Sequence, residues 1–380
     1  MDRRSFVKVT GLAGLTGLAG CTGGPGESEE TTTTTEASGG DGGEETTTEA
    51  EETTEMSEDT TNVGMVYATG GLGDGSFNDQ AQQGAIKAEE DLGISFDESQ
   101  PDEVSQFKTF QQQFAQSTNP DYDLICCIGF LQTDALTESS ESYPDQNFML
   151  VDSVVDAPNV ANYVFAEHEG SYLVGQMAGL LTTQDFSAGA GSTSPDSATL
   201  GFVGGVESDL IKKFEAGFKA GAKEANGDVE VLTNYTGSFN DPAAGKEAAL
   251  AMYNNGADIV YHASGNTGTG VFQAAQEQGK FAIGVDRDQS VTKSSYADVI
   301  LASMVKRVNT AVYNSIKSVV DDDFQGGSIV ALGLEQNGVD IVYGDSLGSE
   351  IPSSVTDEVA ASREAIVAGD VTVPTDPSDV

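Results

Sequence analysis

Leu200-Gly201-Phe202-Val203-Gly204 is a short apolar run ending in glycine, and the chain continues from it into a helix-like segment carrying Phe214, Phe218 and Ala222. That order reads as strand, loop and helix. The same pattern occurs earlier, where Val63-Gly64-Met65-Val66-Tyr67 precedes a glycine-rich turn and a helical stretch from Phe77 to Leu92. Setting Val63 on Leu200 sets Phe77 on Phe214, Gly84 on Gly221 and Ala88 on Ala225, a constant offset of 137 residues. With a shift of a few residues the match continues. Asp123-Leu124-Ile125 answers Asp258-Ile259-Val260, and Phe148-Met149-Leu150-Val151-Asp152 answers Phe281-Ala282-Ile283-Gly284-Val285-Asp286. Each half is therefore a βαβαβ run ending in a strand and an aspartate. Such alternation predicts an α/β fold with parallel sheets and helices on both faces, arranged as two similar Rossmann-like lobes.

Parallel α/β sheets bind ligands beyond the carboxyl ends of their strands. Phe77 and Phe214 fall there near helix starts, and Asp152 and Asp286 fall there at strand ends. With the lobes face to face, the phenylalanines form an aromatic sandwich for a flat ligand, and the aspartates accept its N–H and O–H donors. An enzyme reading is weaker. Gly71-Leu72-Gly73-Asp74-Gly75-Ser76 resembles a dinucleotide fingerprint, but serine occupies its third glycine position. A nucleoside hydrolase needs clustered carboxylates around a metal, whereas the acidic segments here are dispersed, and Asp321-Asp322-Asp323 reads as solvated surface. Cys126 and Cys127 are adjacent on a strand, so their side chains point to opposite faces and read as small core hydrophobes. His168 and His262 are the only histidines, so neither a metal site nor a cofactor is expected.

The 380 residues carry 17 Lys+Arg against 61 Asp+Glu, a net charge of −44. That balance excludes a binder of nucleic-acid polymers, which needs basic residues to displace phosphate counterions, and with it a DNA-binding repressor built on similar lobes. Residues 63–380 alone hold 47 acids and 14 bases, a net −33. Self-repulsion of that size is screened at molar salt, which predicts a salt-loving source.

The N-terminus reads as an address. Asp2-Arg3-Arg4-Ser5-Phe6-Val7-Lys8 matches the twin-arginine export pattern, and the weakly apolar Val9–Gly20 segment is too short to span a bilayer. Leu18-Ala19-Gly20-Cys21 looks like a lipobox, making Cys21 the lipidated first residue of the exported protein. Residues 22–62 hold 13 acids, no Lys or Arg, and threonine runs at 31–35 and 46–48. They are expected to be a disordered acidic tether, reaching on the order of 35 Å. Asn234-Tyr235-Thr236 is a glycosylation sequon of the commonly unused kind.

Several ordered stretches together resemble the basic membrane lipoprotein family, the purine-nucleoside receptors among type I periplasmic-binding-like proteins. They are Thr69-Gly-Gly-Leu-Gly-Asp-Gly-Ser-Phe-Asn-Asp79, Gly129-Phe130, Val154-Val-Asp-Ala-Pro-Asn159, Glu167-His-Glu-Gly-Ser171, Phe214-Glu-Ala-Gly-Phe218, Tyr235-Thr-Gly-Ser-Phe-Asn-Asp-Pro242 and Gly284-Val-Asp-Arg-Asp-Gln289. The resemblance covers 63–373. It implies a monomeric, lipid-anchored receptor on the outer face of the membrane that hands a nucleoside to an ABC permease. It also implies that Phe77 and Phe214 sandwich the base, with Phe130 beside it, that Asn78 and Asp152 bond its edge, and that Asp74, Ser76 and Asp79 shape the loop. Asp286 and Lys306 would hold the ribose hydroxyls, with Gly265 allowing close backbone approach. Ser264-Gly265-Asn266 departs from the family pattern, where more glycine is common, and Arg287 lies next to Asp286. The same architecture serves sugars and other small solutes, so a sugar receptor stands as the alternative.

The resemblance further implies three chain crossings between the lobes, expected after Glu167, near Val305 and near Gly326. The expected organisation is a leader over 1–21, a linker over 22–62, a first lobe from 63–165 and 305–325, and a second lobe from 166–304 and 326–374.

Overall fold

The computed structural model describes residues 60–380. The expected leader with Cys21, and the linker as far as residue 59, lie outside the described residues.

The first lobe opens with β1 (Asn62–Val66), α1 (Phe77–Leu92), β2 (Ser95–Ser99), α2 (Phe107–Ala115), β3 (Leu124–Cys127), α3 (Thr133–Ser142), β4 (Phe148–Val151) and β5 (Val160–Phe165). Helix α4 (Glu167–Thr182) and a small hairpin, β6 (Ser187–Ala188) with β7 (Gly191–Ser192), lead onward. The second lobe follows with β8 (Thr199–Gly204), α5 (Asp209–Ala225), β9 (Glu230–Tyr235), α6 (Pro242–Asn254), β10 (Ala257–Ala263), α7 (Gly268–Gln278), β11 (Phe281–Asp286), the one-turn α8 (Gln289–Thr292) and β12 (Ile300–Lys306). The chain ends with α9 (Val308–Val320), β13 (Ile329–Leu332), β14 (Val339–Tyr343) and α10 (Ser353–Ala368).

Two six-stranded sheets result, in the orders β13-β5-β4-β3-β1-β2 and β14-β12-β11-β10-β8-β9. All pairings are parallel in the first, and in the second only β14 runs antiparallel. Every residue of β3, β4, β8, β10, β11 and β12 is buried, which explains why these strands are mainly apolar, with polar exceptions such as Asp258, His262 and Lys306. Cys126 and Cys127 are both buried and pack into different core clusters on the two faces of β3.

The repeated glycines have a packing explanation. A Cβ at Gly84 would lie 2.5 Å from the carbonyl oxygen of Asn309 on α9, and one at Gly221 would lie 2.0 Å from that of Tyr172 on α4. In each lobe the first helix touches a helix that the chain supplies just after a crossing, and glycine sets how closely they approach. Helix α5 is capped by the Ser208 hydroxyl, which accepts from the Ile211 N–H at 3.3 Å. It buries Ile211, Phe214, Phe218 and Ala222 along one face.

Three expected boundaries move. The third crossing does not occur at Gly326, because β13 still belongs to the first sheet, where it pairs with Asn162–Phe165 of β5. Gly326 makes a turn against the first lobe instead, with the Pro158 carbonyl oxygen 2.0 Å from where its Cβ would be. The crossing falls between Leu332 and Val339, so 326–332 joins the first lobe. Val305 and Lys306 are still strand residues of the second sheet, and Asn62 already pairs in the first.

Candidate ligand-binding site

The carboxyl ends of both sheets face a single cleft enclosing about 650 Å³, its open mouth included. Phe77, Asn78, Asp74, Phe130 and Asp152 of the first lobe line it, as do Phe214, Gly265, Asp286 and Lys306 of the second. Ser76 and Asp79 do not line it. The Asp79 carboxylate accepts the N–H groups of Gly73 and Gly75 at 2.7 and 2.8 Å. Asp74 likewise accepts from the N–H groups of Ser76 and Asn78 at 2.8 and 2.9 Å, so both aspartates shape the 69–76 loop. Burial raises the Asp74 carboxyl above the usual range.

Phe77 is the first residue of α1, whereas Phe214 lies in the second turn of α5, so the aligned phenylalanines reach the cleft from different helical positions. The seat of Phe77 depends on Gly129, where φ is 105° and a Cβ would stand 3.3 Å from the ring. The Asn78 amide is committed to the loop. Its Oδ1 accepts from the Ala68 N–H at 2.9 Å and its Nδ2 donates to the Gly71 carbonyl at 3.0 Å.

Asp152 and Asp286 share a backbone conformation that few non-glycine residues adopt, with φ of 72° and 65°. Strain of this kind turns a carboxylate off the end of a strand and clusters at functional sites. Their partners differ. Asp152 Oδ2 accepts from Lys306 Nζ at 2.6 Å, while Asp286 Oδ2 accepts from the Ser76 hydroxyl across the cleft at 2.5 Å. Burial pushes Asp152 up to about 6 against the pull of Lys306, and pushes Asp286 up to about 7 against Lys306 and Ser76.

Lys306 is 1 % exposed. Burial opposes its charge, but Asp152, Glu167 and Asp286 outweigh that cost and hold its pKa above the ordinary value. Its ammonium lies 5.1 Å from the ring centre of Phe77, 5.2 Å from Phe165 and 5.5 Å from Phe214. Glu167 Oε1 is 3.3 Å away. Asp152 Oδ1 is buried with no hydrogen-bond partner, an acceptor open to a donor in the cleft.

The lobes are closed on each other. The Gly75 carbonyl accepts from Thr292 Oγ1 at 2.8 Å and Gln289 Nε2 at 3.4 Å, and Arg287 stands 4.0 Å from Asp79. Sequence reasoning missed Phe239, which lines the cleft and meets Phe130 edge-on at 6.3 Å between centroids. A signal for it was present, because Ser-Phe-Asn-Asp occurs both at 76–79 and at 238–241. Glu167 was also missed, since a buried acid declares itself only once its lysine is placed. Among the described residues no group of three or more His, Cys, Asp or Glu is arranged to hold a metal. Nor is any described helix long and apolar enough to cross a membrane.

Two α/β lobes closed over an aromatic and acidic cleft define a solute-binding protein of the type I periplasmic kind. A solute-binding protein of an ABC transporter system from Aeropyrum pernix K1 has this fold, with a TM-score of 0.72 at 28 % identity, covering 84 % of this chain and 95 % of that one. The chain belongs to the Bmp family, described as ABC transporter substrate-binding protein PnrA-like, which matches residues 61–376. It is 35 % identical over 329 residues to the ABC transporter nucleoside-binding protein BmpA of Lactococcus lactis subsp. cremoris, covering 82 % of this chain and 88 % of that protein. It is also 36 % identical over 307 residues to an uncharacterized lipoprotein of Pyrococcus abyssi, covering 78 % and 70 % respectively. The protein is thus the substrate-binding component of an ABC transporter and not an enzyme.

Proposed function

We propose that the protein captures a nucleoside, a purine by preference, between its lobes and presents it to an ABC permease from a lipid anchor at Cys21 on the outer face of the membrane. The observation that carries this reading is the unpartnered Asp152 Oδ1 in a cleft lined by Phe77, Phe130, Phe214 and Phe239. A base edge offers N–H donors to such an oxygen, and its faces stack on the rings. Asp286 on the second lobe's wall suits a ribose hydroxyl, and the Lys306 ammonium, bonded to Asp152 and also held by the charge of Asp286, stands beside it. Three buried acids around one lysine repel a phosphate, so a neutral nucleoside fits and a nucleotide does not. The Lactococcus relative's description as nucleoside-binding supports the same ligand class, and lipoprotein relatives support the anchor.

Calorimetry against purine and pyrimidine nucleosides in molar salt tests the reading. Tight binding of a purine nucleoside is expected. Heat with free sugars alone would favour a sugar receptor and remove the nucleoside. Cys21→Ser should release the protein into the medium, and retention at the membrane would count against the anchor. The net −33 of residues 63–380 supports work in brine. The melting temperature should rise between dilute and molar salt, and equal values would exclude a halophilic adaptation.

A further inference from the structure

His262 is fully buried on β10 and takes no part in the ion pairs of the cleft. Its ring is held tightly. A Cβ at Gly268 would fall 2.0 Å from it, and Phe272 packs edge-on at 5.1 Å between centroids. Nε2 lies 2.9 Å from Gln289 Oε1, and Nδ1 lies 3.3 Å from the hydroxyl of Ser264, a residue that lines the cleft.

The direction of these bonds is set from outside the chain of side chains. Gln289 Oε1 accepts from the Val285 backbone N–H at 2.8 Å, and Gln289 Nε2 donates to the Gly75 carbonyl at 3.4 Å. Turning the amide over would set donor against donor at Val285 and acceptor against acceptor at Gly75, so only one orientation satisfies both. Oε1 therefore faces His262, whose Nε2 must carry the proton. Burial holds the imidazole pKa down to about 4, which keeps it neutral at physiological pH. Nδ1 is then a pure acceptor, and the Ser264 proton goes to it.

We propose that Gln289, His262 and Ser264 form a directional relay that leaves the Ser264 oxygen only acceptor capacity toward the cleft, so that this end selects a ligand hydroxyl that donates. Asp286 in the same wall is also an acceptor when ionised, and Ser76 already donates to it. A ribose carrying both hydroxyls satisfies the two acceptors. A ligand without the matching O–H leaves a buried lone pair unpaired, the condition under which polar sites discriminate most strongly. The Val285 N–H of the same lobe sets this orientation, and the Gly75 carbonyl of the opposite lobe reinforces it in the closed form. The inference rests on the nucleoside reading for its ligand, but not for the relay itself.

Two measurements test it. Nitrogen NMR of the full chain reads the tautomer directly, with only His168 besides His262 to distinguish. A neutral, Nε2-protonated His262 at pH 7 is expected; an Nδ1-protonated ring or an imidazolium overturns the relay. Calorimetry then compares a ribonucleoside with its 2′- and 3′-deoxy and deoxyfluoro counterparts, since fluorine replaces a hydroxyl without donating. In the wild type, at least one hydroxyl should resist replacement, with deoxy and fluoro forms both about tenfold weaker or worse. In Ser264→Ala that discrimination should shrink several-fold while the ribonucleoside still binds. Unchanged discrimination in Ser264→Ala, or fluorine accepted as well as hydroxyl, overturns the selectivity. If no nucleoside binds the wild type, the ligand class fails and the tautomer alone judges the relay.

Discussion

Asp152 and Asp286 occupy matching strand ends, share a left-handed backbone and face the same cleft, yet one is paired with a buried cation and the other with a hydroxyl from the opposite lobe. The repeat therefore duplicated a position and not an environment. Both partners come from the opposite lobe, but the first carboxylate is held in an ion-pair cluster by Lys306 at the end of the crossing strand, and the second by a neutral hydroxyl from a loop. A ligand meets one acid held by an ion pair and another held by a hydroxyl, both with raised pKa values.

The severest way to break this comparison is to remove the cation. Lys306→Met leaves Asp152 and Glu167 buried without a counter-charge, and breaking such a cluster costs roughly 3–5 kcal/mol. Denaturant unfolding should show that loss, and nucleoside binding should disappear from calorimetry. A variant of unchanged stability would mean that the acids are protonated or hydrated.

The comparison is sharpened by pH. In the unfolded chain both carboxyls ionise near about 4, whereas in the fold they ionise near about 6 for Asp152 and about 7 for Asp286. The folded state binds more protons in between. Their contribution to stability is present below pH about 4 and is lost as pH rises through those two values. Asp286→Asn should therefore stabilise the empty protein at pH 8, on the order of 2 kcal/mol, while weakening ligand binding. Asp152→Asn should gain less, because its shift is smaller and Lys306 loses a partner. Urea titrations at pH 5 and pH 8 check this, and a larger gain at Asp152 would invert the assignment.

Phe214→Ala should weaken nucleoside binding at least tenfold, about 1.4 kcal/mol. Phe77→Ala should act similarly if the two rings share one ligand face each. Equal affinity in either variant would show that stacking rests on Phe130 and Phe239 instead. The smallest effect belongs to Arg287→Ala, which removes a partly exposed contact of 4.0 Å to Asp79. Exposed pairs contribute roughly 0–1 kcal/mol, so calorimetry should find affinity within about threefold of wild type.

Much of this was legible in the sequence, for stated reasons. Buried parallel strands read as apolar runs, and the same strand, loop and helix pattern recurs at a constant offset, so the two-lobed α/β architecture followed from Val63, Leu200 and their offset partners. The cleft aspartates were legible because strand ends are where such folds present side chains. What could not be read was anything set by meetings between distant segments. Ile329–Leu332 looks like any short edge strand, and only its pairing with β5 decides its sheet. Glu167 and Lys306 are 139 positions apart. The side chain of Asn78, expected at the ligand, is held by a loop that precedes it.

The late return of the chain to its first lobe bears on how the protein is made. A ribosome delivers β1 through β5 first, but the helix that fits Gly84 and the sixth strand of that sheet emerge only after five of the six strands of the second sheet. The first lobe must wait, partly assembled, until residue 332 is available. A chain stopped at residue 165 should accordingly bind chaperones and yield to proteases, and only near-complete chains should become resistant. With the twin-arginine pattern expected to direct export of the folded protein, the address would be written first and the permission to leave would come last.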